Sequence, residues 1–377
     1  MRSKGKLFKL IKGDVDFTVL FLTTALVIFG VVMVFSASYY SSINVSGSPY
    51  SVLRNQLIYA VLGFIIMFIT SKMDYHTWRP LTMIIVPATI VLLIALIPLG
   101  TTVNGATRWL RLGPLSIMPG EIAKFAAIVF TASFISARPA NIGSFSKCVL
   151  PLGVFTLILC AFIMWQPNMS IAITIAVIVF GMMFVAGLPW IYLGGLGIAG
   201  GMGIIGLIIA DPHGYRFKRV TSFLDPFANA MGDAFQVVQS LLAMGSGGLT
   251  GMGLGKSIQK TLYLPEPHND FILAIIGEEL GFIGIFILMV AYMILIWRGI
   301  RICLAAADLF GMLLSAGIVI MIGFQVIINV AVVTSSMPPT GITLPFISYG
   351  GNALWIFMGS IGILLNVSRS RTRVRTR

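Results

Sequence analysis

Asp270 is the residue best placed to do chemistry in this sequence. It closes the run Leu264-Pro265-Glu266-Pro267-His268-Asn269-Asp270, and an apolar stretch begins directly after it. Pro265 and Pro267 stiffen the approach. Acidic residues number 12 in 377, so few carboxylates are available as a general base. Lys256 and Lys260 lie just upstream, in a glycine-rich run. Cations there suit a diphosphate and favour an ionised neighbouring carboxylate. The same spacing suits an N-cap or first-turn aspartate that satisfies free backbone amides. Position alone leaves both roles open.

Other polar residues form a second set. Glu121 and Lys124 are three apart and share one helix face. Charges within an apolar span pair with each other or line a cavity, so this pair is either a fold-locking bridge or part of a substrate site. Glu278 and Glu279 are adjacent, and at least one must face protein or water. Arg108-Trp109-Leu110-Arg111 precedes the helix that carries Glu121. Tryptophan anchors at membrane interfaces and arginine grips phosphate through two parallel bonds. Glu266 and His268, beside Asp270, complete the candidate substrate-binding residues. Gly255-Lys256-Ser257 ends like a Walker A loop, but the first glycine falls at Thr250 and no strand precedes it, so a P-loop is rejected.

The elements that must position these groups are apolar helices. Hydrophobic residues make up 58% of the chain and charged residues 10%, against about 25% charged in soluble domains. Runs long enough to cross ~30 Å of hydrocarbon recur. The expected fold is an all-α polytopic membrane protein of about ten spans. Their approximate bounds are 17–38, 55–71, 80–99, 119–137, 147–165, 169–186, 189–210, 271–297, 308–334 and 345–367. A large extracytoplasmic loop, 211–270, then separates the seventh and eighth helices. It contains an amphipathic stretch from Asp233 to Met244, with Phe235, Val238, Leu241 and Leu242 on one face, expected to lie along the membrane surface or re-enter it. Residues 1–16 and 368–377 form basic tails around a single membrane domain, 17–367. Glycines in the seventh span, Gly194 to Gly206, are spaced for close helix packing.

The net charge of +13 does not signal nucleic acid. Much of it sits in the tails, at Arg2, Lys4, Lys6, Lys9 and Lys12, then Arg369, Arg371, Arg373, Arg375 and Arg377, with no basic domain or aromatic platform. Such tails read as anchors on anionic membrane lipids. With both termini cytoplasmic, the inner segments hold twice the Lys and Arg of the outer ones, as the positive-inside rule requires. Cys148, Cys160 and Cys303 show no metal spacing, and His76, His213 and His268 form no zinc motif.

Several motifs together resemble the SEDS family (shape, elongation, division and sporulation proteins) along nearly the whole chain. They include Gly105-Ala106-Thr107-Arg108-Trp109, Pro119-Gly120-Glu121-Ile122-Ala123-Lys124, Gln166-Pro167-Asn168 and Gly253-Leu254-Gly255 with Gln259-Lys260. Further on stand Leu264-Pro265-Glu266, His268-Asn269-Asp270-Phe271, Glu278-Glu279-Leu280-Gly281, and Thr340 through Gly351. Arg219 through Pro226 is more similar to the FtsW/SpoVE branch than to the RodA branch. The resemblance implies a peptidoglycan glycosyltransferase in the plasma membrane that polymerises undecaprenyl-linked lipid II. It also implies a class B penicillin-binding protein as transpeptidase partner, among other division or sporulation membrane proteins, with the essential aspartate at Asp270. Glu121 and Lys124 match the family's glutamate and lysine. The sequence departs from the family at Gly120, Asn168, Asn269 and Asn352, none of which replaces the aspartate. Inverting transfer needs one base and cations for the diphosphate, for which Arg108, Lys256 and Lys260 are candidates, with a divalent cation such as Mg2+ as an admissible addition. A lipid II flippase and a non-enzymatic scaffold remain the alternatives.

Overall fold

A computed structural model describes residues 14–103, 106–113, 115–166, 168–209, 217, 219, 223–227, 230–232 and 234–370. The ends of both basic tails, Gly105, Pro167, Asp211, Lys218, Val220 to Ser222 and Asp233 lie outside the described residues.

The chain is mostly helical, as its composition requires. Helix α1 (Phe17–Ser46) is N-capped by Asp16, whose carboxylate accepts from Val19 N at 3.3 Å. It ends at Gly47 in the left-handed conformation (φ 71°), a turn that glycine adopts without a Cβ clash. Helices α2 (Ser51–Lys72) and α3 (Trp78–Leu99) follow. Next come α4 (Pro119–Ala137), α5 (Leu150–Trp165), α6 (Met169–Val185) and α7 (Trp190–Ile209). The remaining helices are α8 (Phe235–Gly247), α9 (Ile272–Leu304), α10 (Leu309–Val333) and α11 (Gly351–Arg369). Eight described helices are long and apolar enough to cross a membrane, and α6 is a shorter apolar helix of 17 residues. α4, α10 and α11 bury most of their surfaces, while α2 and α3 each bury one stripe and expose apolar side chains on the rest, which suits a lipid-facing rim.

The helical expectation needs three corrections. A three-stranded antiparallel sheet, β1 (Gly100–Val103), β2 (Ala106–Leu112) and β3 (Leu115–Ile117), stands between α3 and α4. β1 and β3 have four and three residues, too few for periodicity to announce, and the seven of β2 (ATRWLRL) do not alternate apolar with polar. Helix α8 exists, but its buried face is Val237, Val238, Ser240, Ala243 and Gly247, with Leu242 exposed. It packs against α9 rather than presenting the expected face to lipid. Among the described residues nothing lies within 4 Å of a hypothetical Cβ on the glycines of α7, so the close helix approach expected from their spacing is not formed among them.

Helix α9 is broken in its first third. Gly281 has φ 67° and ψ −168°, and the turn beyond Gly247 fills the gap. Met252 N and Gly253 N donate to Glu278 O and Glu279 O at 2.9 and 3.0 Å, and Phe282 N and Ile283 N donate to Gly248 O and Leu249 O at 2.9 and 3.1 Å. Amides and carbonyls freed by the break are thus satisfied within protein, the condition for irregular backbone at membrane depth. A Cβ on Gly281 would sit 2.3 Å from Gly251 N. Gly281→Ala is therefore expected to cost roughly 2–4 kcal/mol and to lower the thermal unfolding midpoint of detergent-purified protein. Gly197→Ala, in open helix, should leave that midpoint unchanged or raise it slightly. Equal midpoints for the two variants would remove the constraint placed on Gly281.

Candidate active site

Asp270 lies two residues before α9 and is held by its backbone. Asn329 of α10 donates through Nδ2 to Asp270 O and to Ile342 O, each at 2.8 Å. The segment between α10 and α11 closes from the other side. Ser348 Oγ donates to Asn269 O at 2.7 Å, and Tyr349 N donates to His268 O at 2.9 Å. A Cβ at Gly341 would come within 3.1 Å of Asp270 Oδ2, so glycine lets the Thr340–Gly351 run approach the carboxylate. Tyr292 of α9 donates to Pro345 O, and Gly30 of α1 lets the backbone at Phe346 and Ile347 pack within van der Waals contact. That run is the sequence's longest family-like motif, and its work here is to wall in one aspartate.

Asp270 is half-buried. Burial raises its pKa to about 6, against the pull of Arg219 and then Arg108, while Glu266 adds a smaller push upward. Arg108 reaches this position from β2. On a strand, alternate residues share a face, so Arg108 lies on the side of Leu110, which is 5% exposed, whereas Arg111 on the other side is exposed. The sheet is joined to the start of α11 by Asn352, whose Nδ2 donates to Ser116 O at 2.7 Å. Arg219 also donates to Pro339 O at 2.7 Å. Sequence reasoning did not place Arg219 at the site. The available signal was its position at the head of the Arg219–Pro226 run.

Glu266 has a left-handed backbone (φ 49°) and accepts from Asn269 Nδ2 at 2.7 Å, so the asparagine that replaces the family's threonine braces the turn. His268 packs edge-on to Tyr349. Burial lowers its pKa to about 4, so it is neutral near pH 7. His268 Nδ1 and Thr340 Oγ1 are buried and have no protein hydrogen-bond partner among the described residues.

The lysines behave differently from the cation pair expected beside Asp270. Lys260 is 3% exposed and pairs with Glu279 Oε1 at 2.7 Å, while Ser36 Oγ of α1 lies 2.9 Å from its Nζ and 2.7 Å from the same carboxylate oxygen. This arrangement ties α1, the loop and α9 together and leaves Lys260 no freedom to grip a ligand. Glu278 accepts from Ser257 Oγ and from Ile258 N at 2.9 Å. The adjacent glutamates therefore both have protein partners. Lys256 is exposed, with its stem beside Gly253. Glu121 and Lys124 form a buried ion pair at 2.7 Å, and the ammonium sits 5.4 Å from the Phe357 ring centre. Asn168, in place of the family's aspartate, N-caps α6 through a 3.4 Å bond from Ile171 N. No group of three or more His, Cys, Asp or Glu among the described residues could hold a metal. The donors around Asp270, two arginines and one glutamate, do not fit a resident cation.

A model of the FtsW/RodA/SpoVE family of cell cycle proteins matches residues 17–373. Stage V sporulation protein E of Bacillus subtilis is 43% identical over 365 residues, covering 95% of this chain and 98% of its own. A probable peptidoglycan glycosyltransferase FtsW of Geobacter sp. is 40% identical over 366 residues, covering 96% and 97%. Among solved structures, one chain of a peptidoglycan synthase complex, studied for its coordination of polymerization and crosslinking, superposes with a TM-score of 0.79 at 27% identity, over 95% of this chain and 99% of that one. The rod shape determining protein RodA of Thermus thermophilus superposes at 0.70 with 29% identity, over 95% and 98%.

The buried lysine gives a direct test of its structural role. Lys260→Met strands the Glu279 carboxylate, which is expected to cost about 3–5 kcal/mol, whereas Lys260→Met with Glu279→Leu should recover much of the loss. Thermal unfolding of the three proteins measures this. A stable single variant would return Lys260 to the list of ligand contacts.

Proposed function

The chain belongs to the FtsW/RodA/SpoVE family of cell cycle proteins, and from that premise we propose that it is a peptidoglycan glycosyltransferase polymerising lipid II. It is a multi-pass membrane protein. Ten spans, both termini cytoplasmic and the segment from 211 to 270 outside is the arrangement that suits the hydropathy and the charge distribution. The substrate's polyprenyl tail would then stay in hydrocarbon while its sugars reach the loop. A class B penicillin-binding protein is the partner we assign to crosslink the product, in keeping with the synthase complex that this fold matches.

The observation that carries the reading is a desolvated aspartate in the field of two arginines at the head of an apolar helix. The donor sugar is α-linked to a lipid diphosphate and the glycan is β-linked, so a single inverting displacement suffices. The acceptor hydroxyl oxygen bonds to the anomeric carbon, the bond from that carbon to the diphosphate oxygen breaks, and the hydroxyl proton passes to Asp270. A pKa near 6 keeps the carboxylate ionised at neutral pH yet more basic than an exposed one, which suits a general base. Arg108 and Arg219 supply the positive field for the departing diphosphate, and Lys256 is exposed on the loop to meet it. Lys260 leaves that set because it is paired with Glu279. Glu266 and His268 line the approach, with His268 Nδ1 and Thr340 Oγ1 buried behind them without a protein partner among the described residues. Glu121 and Lys124 neutralise each other below the site, which favours a bracing role over a direct contact. The same pairing weighs against a flippase, whose path those charges would have to line.

Purified full chain, given labelled lipid II and its transpeptidase partner, tests the reading. Asp270→Asn should insert and fold normally while polymerisation falls by at least about 10²-fold. A well-inserted Asp270→Asn protein that still makes polymer would end the assignment. The acid limb of the wild-type rate profile should fall as pH drops through about 6, because protonated Asp270 cannot accept the hydroxyl proton. Stability runs the opposite way. Folded Asp270 holds its proton more tightly than the unfolded chain does, so its contribution to stability is present at low pH and lost as pH rises toward and through about 6.

A further inference from the structure

At the end of the bundle where both termini emerge, α1, α2 and α11 leave a groove of about 540 Å³ between them. That volume lies within the ~300–1,000 Å³ of ordinary ligand clefts. Its walls are apolar: Leu20 of α1, Phe64 and Phe68 of α2, and Leu365 of α11. Its rim carries Lys72 and Arg369, the cations in the last turns of α2 and α11. Lys72 is exposed, and its ammonium stands over the Phe68 ring of the apolar wall, 5.5 Å from the ring centre. The nearby carboxylate of Asp16 has a cation of its own in Arg298, at 3.1 Å. From either side of the groove the chain runs on into a basic tail, with Lys9 and Lys12 before it and Arg371 and Arg373 after it.

We propose that this groove is a binding site for an anionic diacyl phospholipid of the surrounding bilayer. One acyl chain lies between α1, α2 and α11, and the headgroup phosphate sits between Lys72 and Arg369. The apolar slot takes a chain that any phospholipid has, and the two cations select the net negative headgroup. The site is distant in sequence and character from Asp270 and stands apart from the polymerase reading.

The test reconstitutes full-length protein into phosphatidylcholine bilayers with and without phosphatidylglycerol, then extracts it and weighs the retained lipid by native mass spectrometry. Wild type should keep phosphatidylglycerol in preference to phosphatidylcholine. Lys72→Gln with Arg369→Gln should reduce that preference by roughly tenfold at low salt. Leu20→Trp, which fills the slot but leaves both cations, should lose the retained lipid altogether. Thermal unfolding in lipid-free detergent, unchanged for both variants, separates loss of binding from loss of fold. Equal retention of the two lipids by wild type overturns the proposal. So does phosphatidylglycerol that survives the blocked slot, since that is adsorption to basic tails alone. A groove occupied by a helix of another protein would also overturn it, and would appear as a co-purifying polypeptide that Leu20→Trp releases.

Discussion

The active end of this molecule depends on a helix that is interrupted. An unbroken α9 would present only side chains to its neighbours, with every backbone group used internally. The break at Gly281 frees carbonyls and amides, and the turn from Gly248 to Gly253 binds them in a backbone-paired seam. The two glutamates just before the break then take hold of the next stretch of loop. Glu278 collects Ser257 and the amide of Ile258, and Glu279 takes Lys260 and Ser36. A loop that would otherwise drift in water is fixed at one end to α9 and at the other, through His268 and Asn269, to the run before α11. Asp270 hangs between those two anchors.

Fixing the loop also sets the chemistry. A carboxylate in open water near pH 7 is ionised but weakly basic, and one buried in hydrocarbon is basic but protonated. Asp270 is kept between these limits by opposing effects: enclosure by the Gly341 run raises its pKa, and Arg219 and Arg108 pull it back. The two arginines arrive from different parts of the chain, one from a strand before α4 and one from the segment between α7 and α8. Neither is adjacent to Asp270 in sequence, so the balance belongs to the tertiary fold. In the proposed reaction the same arginines would offer charge to the leaving diphosphate, which would link the acidity of the base to the binding of the group it displaces.

Much of this was legible in the residues. Long apolar runs announced spanning helices, and the bounds of α4, α6 and α7 agree closely with the observed ones, because Pro119, Asn168 and Pro189 punctuate them. The aspartate at the head of α9 was legible from two prolines and a helix start. The identity of its cations was not. Sequence proximity pointed to Lys256 and Lys260, but a lysine in a glycine-rich loop can fold back as easily as forward, and Lys260 folds back onto Glu279. Arg219 carried no spacing signal toward Asp270. The short sheet was missed because strands of three and four residues show no period and the seven-residue β2 does not alternate. The buried face of α8 was misjudged because Ser240 and Gly247, small and polar by type, face inward: Ser240 donates to Val333 O, and Gly247 lets the backbone of α9 pass.

Buried charge in this protein follows one rule that bears on how substrate can reach the site. Glu121 with Lys124 and Glu279 with Lys260 form closed pairs, and Glu278 is met by a hydroxyl and an amide. Each charge in the membrane-embedded body therefore has a partner within the fold, which is the cheapest state for an ion away from water. Asp270 departs from that rule. Its Oδ2 lies where a Cβ on Gly341 would come within 3.1 Å, and the charges that act on it, Arg219 and Arg108, come from distant parts of the chain. A pathway for a charged headgroup through the bundle would require several unsatisfied charges in sequence, whereas Glu121, Lys124, Lys260, Glu278 and Glu279 all have partners within the fold. Such a distribution favours chemistry at a surface over transport through an interior.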